Sequence, residues 1–266
     1  MKKLILIACL FGTLMSCQQQ SSKEKKAMVV AHRGASHYAP ENTVAAAKLA
    51  WEQNADAVEV DVHLTADNQI AVMHDYNTQR TTGKKFVISE TPMDSLRKLE
   101  AGSFKSEKYK GEPVPVLKDI VETVPAGKKL FIEIKSDKKI VPVIKETLGD
   151  HPKKDQFVFI AFDYETIVAA KKAFPKNEAY WLSSKFKEDL NTVMQRVKSD
   201  GLDGVDLNFK IVTPEVMAKA EELGLGVHVW TVNDMEKVKE MQTLGVDGIT
   251  TNMPDQVLAT LRESGN

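Results

Sequence analysis

The strongest constraint on this chain is an alternation sustained from residue 28 to the end, in which short β-branched apolar runs take turns with helical patterns. Strand-like runs fall near 28–33, 57–63, 129–135, 156–161, 178–182, 203–208, 225–231 and 247–250, and helical patterns near 42–53, 118–124, 137–148, 163–174, 187–199, 213–223, 234–243 and 254–263. Thr213-Pro214-Glu215 opens one helix with proline in its first turn, and Gly224 closes it. Strands separated by helices imply a parallel sheet, and eight such units imply that the sheet closes. The predicted fold is therefore α/β, a (β/α)8 TIM-type barrel. An open doubly wound sheet would carry a glycine-rich turn after its first strand, where this chain has His32-Arg33-Gly34-Ala35.

One segment breaks the rhythm. Residues 65–117 separate the second and third strand-helix units by far more than an ordinary connection. The turn Thr65-Ala66-Asp67-Asn68 leads straight into Gln69-Ile70-Ala71-Val72-Met73-His74, and a strand returning so soon must run antiparallel to its neighbour. The segment reads as an insertion over the barrel mouth, rejoining at Pro113-Val114-Pro115 and too polar for much core of its own.

The first 27 residues stand outside the alternation. Met1-Lys2-Lys3 and the apolar run Leu4 to Met15 have the form of a signal peptide, too short to span a bilayer permanently. Leu14-Met15-Ser16-Cys17 resembles the lipobox of bacterial lipoproteins, which implies cleavage after residue 16 and acylation of Cys17. An ordinary secretory signal with an incidental cysteine is the alternative. The expected product is an exported lipoprotein, anchored to a membrane by two or more acyl chains, with residues 17–27 as a polar tether. Cys9 and Cys17 are the only cysteines, so the folded part has neither disulfides nor a thiol nucleophile. Cleavage leaves about 250 residues, the usual size of a single barrel. A formal net charge of −1 offers nothing to nucleic acid, and no protein partner is indicated.

The second strand carries the chemistry. In Ala57-Val58-Glu59-Val60-Asp61-Val62-His63, alternate side chains face opposite ways. The valines suit the helix-facing side, which turns Glu59, Asp61 and His63 toward the barrel axis, where apolar residues are usual. Phe131-Ile132-Glu133-Ile134-Lys135 repeats the pattern with Glu133 and Lys135 inward. Three inward carboxylates against one lysine suit a hard divalent ion, Mg²⁺ or Ca²⁺; an internal salt-bridge network without metal is the alternative. His32 and Arg33 end the first strand and His74-Asp75 the hairpin strand, both at the barrel face where active sites lie. Two histidines beside a metal can act as general acid and base near neutral pH. His37, His63, His151 and His228 read as structural, His228 least securely because it points inward.

Seven ordered blocks together resemble the glycerophosphodiester phosphodiesterase family. They are His32-Arg33-Gly34-Ala35, Pro40-Glu41-Asn42-Thr43, Glu59-Val60-Asp61-Val62 with Thr65-Ala66-Asp67, Val72-Met73-His74-Asp75, Glu133-Ile134-Lys135, Val229-Trp230-Thr231-Val232-Asn233 and Asp247-Gly248-Ile249-Thr250-Thr251-Asn252. The resemblance implies one divalent cation on Glu59, Asp61 and Glu133, with His32 and His74 as the catalytic histidines. It also implies phosphate contacts from Arg33 and Lys135, a glycerol pocket shaped by Trp230, and a buried acid, Glu41, that orients the site. Asn252 departs from the family, which often has aspartate there. The implied reaction is hydrolysis of small glycerophosphodiesters to sn-glycerol 3-phosphate and an alcohol, directly or through a cyclic phosphate. Rival readings are a phospholipase-type enzyme acting on intact lipid, a lipoprotein that binds glycerophosphodiesters without cleaving them, and a purely structural lipoprotein. The polar character of residues 76–112 argues against the first, and the full set of histidines and carboxylates argues against the other two.

Overall fold

The structure, a computed structural model, describes residues 26–263. The signal peptide expected over residues 1–16, the lipidation site expected at Cys17 and the tether up to residue 25 lie outside the described residues. Eight parallel strands close into a barrel: β1 (Met28–Ala31), β2 (Ala57–Leu64), β4 (Lys129–Ile134), β5 (Phe157–Ala161), β6 (Glu178–Ser183), β7 (Gly204–Asn208), β8 (Gly226–Trp230) and β9 (Gly248–Thr251). Closure is made by β1, which pairs in parallel with β9 on one side and β2 on the other. The remaining strand, β3 (Ile70–Val72), is antiparallel to β2, as the short turn before it requires. Among the described residues no helix is long and apolar enough to cross a membrane.

Strand alternation sorts the core into two layers. Val58, Val60 and Val62 of β2 join Leu130, Ile132 and Ile134 of β4 in the large cluster beneath the outer helices. Val30, Phe131, Val158, Ile160 and Leu182 fill the barrel interior instead. Residues 65–117 carry a third cluster, in which Met73, Ile88, Met93, Leu96 and Leu99 are buried together. This small core was obscured in the sequence because its members are scattered among charged residues over short, irregular turns. Helix α1 (Val44–Glu52) begins at the Thr43 cap, whose side chain accepts a hydrogen bond from Ala46 N.

The first strand ends at Ala31, two residues short of expectation, because the chain turns out of the sheet there. Arg33 and Gly34 both take left-handed backbone conformations, with φ of 56° and 78°. A Cβ on Gly34 would lie 2.5 Å from the carbonyl carbon of Ala46, so only glycine lets this loop sit against α1. Left-handed backbone is unusual for arginine and is retained here by what the loop reaches. That turn delivers His32 and Arg33 to the barrel mouth.

Candidate active site

The pairing register of β2 and β4 sets Asp61 directly beside Glu133, with Glu59 one inward position below on β2. One carboxylate oxygen from each of Glu59, Asp61 and Glu133 can be chosen so that all lie within 4.8 Å of one another. The three residues are 1%, 0% and 8% exposed. Such crowding is costly, since each buried carboxylate loses several kcal/mol of hydration and repels its neighbours.

Compensation is uneven. Asp61 receives most of it: Arg33 Nε lies 3.2 Å from its Oδ2 and Lys135 Nζ 3.5 Å from its Oδ1. Asn42 Nδ2 donates to Asp61 Oδ2 at 2.7 Å while Asn42 Oδ1 accepts from the Asp61 backbone N–H at 3.0 Å. Burial works against ionisation of Asp61, but Arg33 and Lys135 prevail and hold its carboxyl below the usual range. Lys135 donates to Glu133 Oε1 at 2.7 Å. Burial and the Asp61 charge nevertheless push Glu133 up to about 7. Among the described residues Glu59 forms no ion pair; it accepts only the Arg33 backbone N–H, at 2.8 Å on Oε2. Burial, then Asp61 and Glu133, raise its carboxyl well above the ordinary value. Two cations cannot balance three buried acids, so a self-sufficient salt-bridge network does not account for the cluster. Glu59 Oε1 and Asp61 Oδ1 are both buried without a hydrogen-bond partner. A converging all-oxygen donor set with unused lone pairs and excess negative charge fits a hard divalent cation.

The two histidines are held by different partners. His32 Nδ1 lies 2.7 Å from Asn252 Oδ1, an amide oxygen that also accepts from Ser36 Oγ at 3.1 Å. An amide oxygen only accepts, so Nδ1 carries the proton and Nε2 keeps a free lone pair. Burial, then the Arg33 charge, lower the His32 imidazole to about 4. His74, just past β3, has Nδ1 2.8 Å from Asp75 Oδ1. Asp75 in turn accepts from Arg80 Nε at 2.8 Å, and this bond above all outweighs burial and holds its carboxyl down at about 2. His63 Nε2 meets the His74 backbone carbonyl at 3.1 Å and so fixes the chain at His74 without sharing the cluster.

Glu41 ties the loop after β1 to the insertion. It accepts from Arg33 Nη1 at 2.9 Å and, through both oxygens, from Arg80 Nη1 and Nη2 at 2.8 Å. The bidentate clamp makes Arg80 the link by which the insertion steadies both Arg33 and the Asp75–His74 pair.

A cavity of about 160 Å³ at the C-terminal ends of the strands is lined by His32, His74, Glu59, Glu133, Arg33 and Lys135. Trp230 and Phe162 add an aromatic side, their ring centroids 5.3 Å apart in an edge-to-face arrangement. A larger hollow of about 680 Å³ around Lys26, Asp56 and Lys128, at the strands' opposite ends, gathers none of these groups. His228 packs deeper, 3% exposed, with its ring 4.5 Å from Tyr180 and 5.3 Å from Phe131.

Every candidate within the described residues thus falls in or against one site. Sequence reasoning overlooked four contributors. Asn42 lies within a recognised block but gave no sign of pairing with Asp61. Asp75 stands beside His74 in a recognised block, but its link through Arg80 to Glu41 is made only in three dimensions. Asp206 in β7 was the one with a readable signal, since an acid at an inward position of a barrel strand is as anomalous there as in β2.

A closed barrel with an acidic cage, two histidines and two cations at its C-terminal mouth has the equipment of a hydrolase for phosphate esters. The Glycerophosphoryl diester phosphodiesterase family model matches residues 32–256, and the chain belongs to that family. A glycerophosphodiester phosphodiesterase of Caldanaerobacter subterraneus is 32% identical over 247 residues, covering 90% of this chain and 100% of the relative. Among solved structures, a phosphodiesterase of Oleispira antarctica in complex with the product sn-glycerol-3-phosphate superposes with a TM-score of 0.83 at 27% identity, covering 89% of this chain and 97% of the other. A glycerophosphodiester phosphodiesterase of Parabacteroides distasonis gives a TM-score of 0.76 at 26% identity, covering 91% and 100% of the two chains.

Proposed function

We propose that this chain hydrolyses glycerophosphodiesters to sn-glycerol 3-phosphate and an alcohol, using one divalent cation, Mg²⁺ or Ca²⁺, and two histidines. The observation that carries the reading is the under-neutralised cage of Glu59, Asp61 and Glu133, in a site that also presents His32 and His74. Glu59, Asp61 and Glu133 would hold the cation, which when bound supplies positive charge to the phosphate oxygens. Arg33 and Lys135 add charge from the protein, lowering the repulsion that a phosphodiester offers any nucleophile.

His32 suits the role of general base. Its imidazole is kept neutral and its Nδ1–H is engaged by Asn252, so Nε2 is free to take the proton of the attacking oxygen. That oxygen belongs to water or to the neighbouring glycerol hydroxyl. His74, with Nδ1 engaged by Asp75, offers its other nitrogen to protonate the departing alcohol. Trp230 and Phe162 would give the carbon skeleton of the glycerol an apolar surface.

The test is release of glycerol 3-phosphate from glycerophosphocholine with Mg²⁺, with Ca²⁺ and with chelator. Turnover with at least one ion, abolished by chelator, is expected; metal-independent turnover, or none with either ion, overturns the reading. We further propose that the protein is an exported lipoprotein held at a membrane through Cys17, on the strength of the Leu14-Met15-Ser16-Cys17 motif. Cys17→Ser should then move it from the membrane fraction to the soluble fraction of expressing cells. An unchanged distribution would reject the anchor.

A further inference from the structure

Asp206 is buried to 1% exposure, lines the active-site cavity, and has its Oδ1 without a hydrogen-bond partner. It takes no part in the acid cage described above. The alternation of β7 explains its direction, since Val205 and Leu207 pack under the outer helices and Asp206 is left facing the lumen. Its neighbour in register on β6 is Leu182, which lines the same cavity with Ile160. On β8 its neighbour in register is His228, so the carboxyl stands between an aliphatic side chain and an imidazole. Its position is fixed, because the Asp206 backbone carbonyl accepts the Trp230 indole N–H at 3.1 Å.

In the closed barrel, β7 stands four strands from β2 in either direction, so Asp206 looks across the lumen from Glu59 and Asp61. A phosphodiester whose phosphate lies by Arg33, Lys135 and the acid cage would extend its non-reacting part toward that far wall. An unpartnered buried carboxyl is expensive to keep and persists where a ligand or water completes it. We propose that Asp206 is the specificity-determining anchor for a free hydroxyl of the substrate's polyol moiety, so that the cavity selects phosphodiesters with unesterified hydroxyls over acylated lipids and simple alkyl phosphodiesters. A hydroxyl both donates and accepts, so it pairs with the carboxyl in either protonation state. An acylated oxygen offers no proton to a carboxylate and so forfeits that pairing. The inference rests on the hydrolase reading above and adds which part of the substrate is recognised, and by what.

The experiment compares wild type with Asp206→Asn and Asp206→Leu in the full chain. Calorimetry gives the affinities for sn-glycerol 3-phosphate and for ethyl phosphate, which keeps the phosphate and lacks the hydroxyls. Kinetics give kcat and KM for glycerophosphocholine and for bis(p-nitrophenyl) phosphate. Asp206→Leu should weaken glycerol 3-phosphate binding and raise the KM for glycerophosphocholine about 10- to 100-fold, the usual loss when a buried polar group is left without its partner. Ethyl phosphate binding and the aryl diester should change less than about threefold. Asp206→Asn, whose amide can still meet a hydroxyl, should fall between, and thermal unfolding establishes that both variants are folded. Equal losses on both ligands, no loss on either, or an altered metal requirement overturns the assignment. A selective loss of glycerol 3-phosphate affinity in Asp206→Leu, in a protein that fails to cleave glycerophosphocholine, sustains the anchor and rejects the hydrolase reading. Variants that cleave with undiminished preference reject the anchor alone.

Discussion

Glu59→Gln should lower turnover by roughly 10³-fold or more, the equivalent of several kcal/mol of lost transition-state charge stabilisation. The substitution keeps shape and an oxygen for the Arg33 backbone N–H, which Glu59 now meets at 2.8 Å, and removes a charge. That charge is the least compensated in the cage, so its loss bears directly on cation affinity. Stability should respond in the opposite sense. Burial, Asp61 and Glu133 raise the Glu59 carboxyl in the folded state. A group with a raised folded value that must ionise costs the fold stability as pH climbs through that value, and the cost is fully present above it. At neutral pH the metal-free Glu59→Gln protein should therefore melt at the same temperature as metal-free wild type or higher. Adding Mg²⁺ or Ca²⁺ at about a hundred times its dissociation constant contributes ~2.7 kcal/mol to wild type, a rise of several degrees for a chain this long. The variant should show almost none of that rise. Differential scanning with and without the ion reads both effects. A variant that is still stabilised by the ion like wild type, with chelator-sensitive turnover intact, would remove Glu59 from the ligand set.

How much of this was readable from the residues varies with the range of the interaction involved. The barrel was legible because each strand-helix unit announces itself locally, through β-branched runs, caps and helix-stop glycines such as Gly224. The acid cage was legible because strand periodicity alone orients Glu59, Asp61 and Glu133, and hydrophobic neighbours on the other face make the orientation unambiguous. Adjacency of β2 and β4 followed from barrel order once the insertion was set aside. The clamp of Arg80 on Glu41 was not legible, since it joins residues 39 apart in sequence through irregular turns with no periodic signature. The pairing of Asn42 with Asp61 depends on a left-handed backbone at Asn42, φ 58°, which asparagine tolerates but does not announce. Asp206 was legible in principle by the argument applied to Glu59. It was overlooked because a single inward acid, unlike three together, suggests no ligand until the cavity around it is seen.

His32→Ala should cost about 10²- to 10⁴-fold in kcat, the range for a general acid or base, while the stabilisation by Mg²⁺ or Ca²⁺ remains as in wild type. That split separates a proton-transfer role from a structural one, since a collapsed site would lose both. The pH profile carries the finer test. Burial and the Arg33 charge bring the His32 imidazole down to about 4, and the partner on Nδ1 is the neutral amide of Asn252. A base must be unprotonated, so activity should persist below the ordinary imidazole range near pH 6.5 and fail only as pH drops toward 4. Asn252→Asp exchanges the amide for a carboxylate 2.7 Å from the ring, which favours the imidazolium and raises the imidazole's pKa. The acid limb of kcat/KM should accordingly move to higher pH, leaving the variant slower than wild type in mildly acidic solution and similar well above neutrality. An acid limb near pH 6.5 in wild type, or one that stays put in Asn252→Asp, would assign the base to another group. Asn252 would on this account extend the working range of the same two-histidine site toward lower pH.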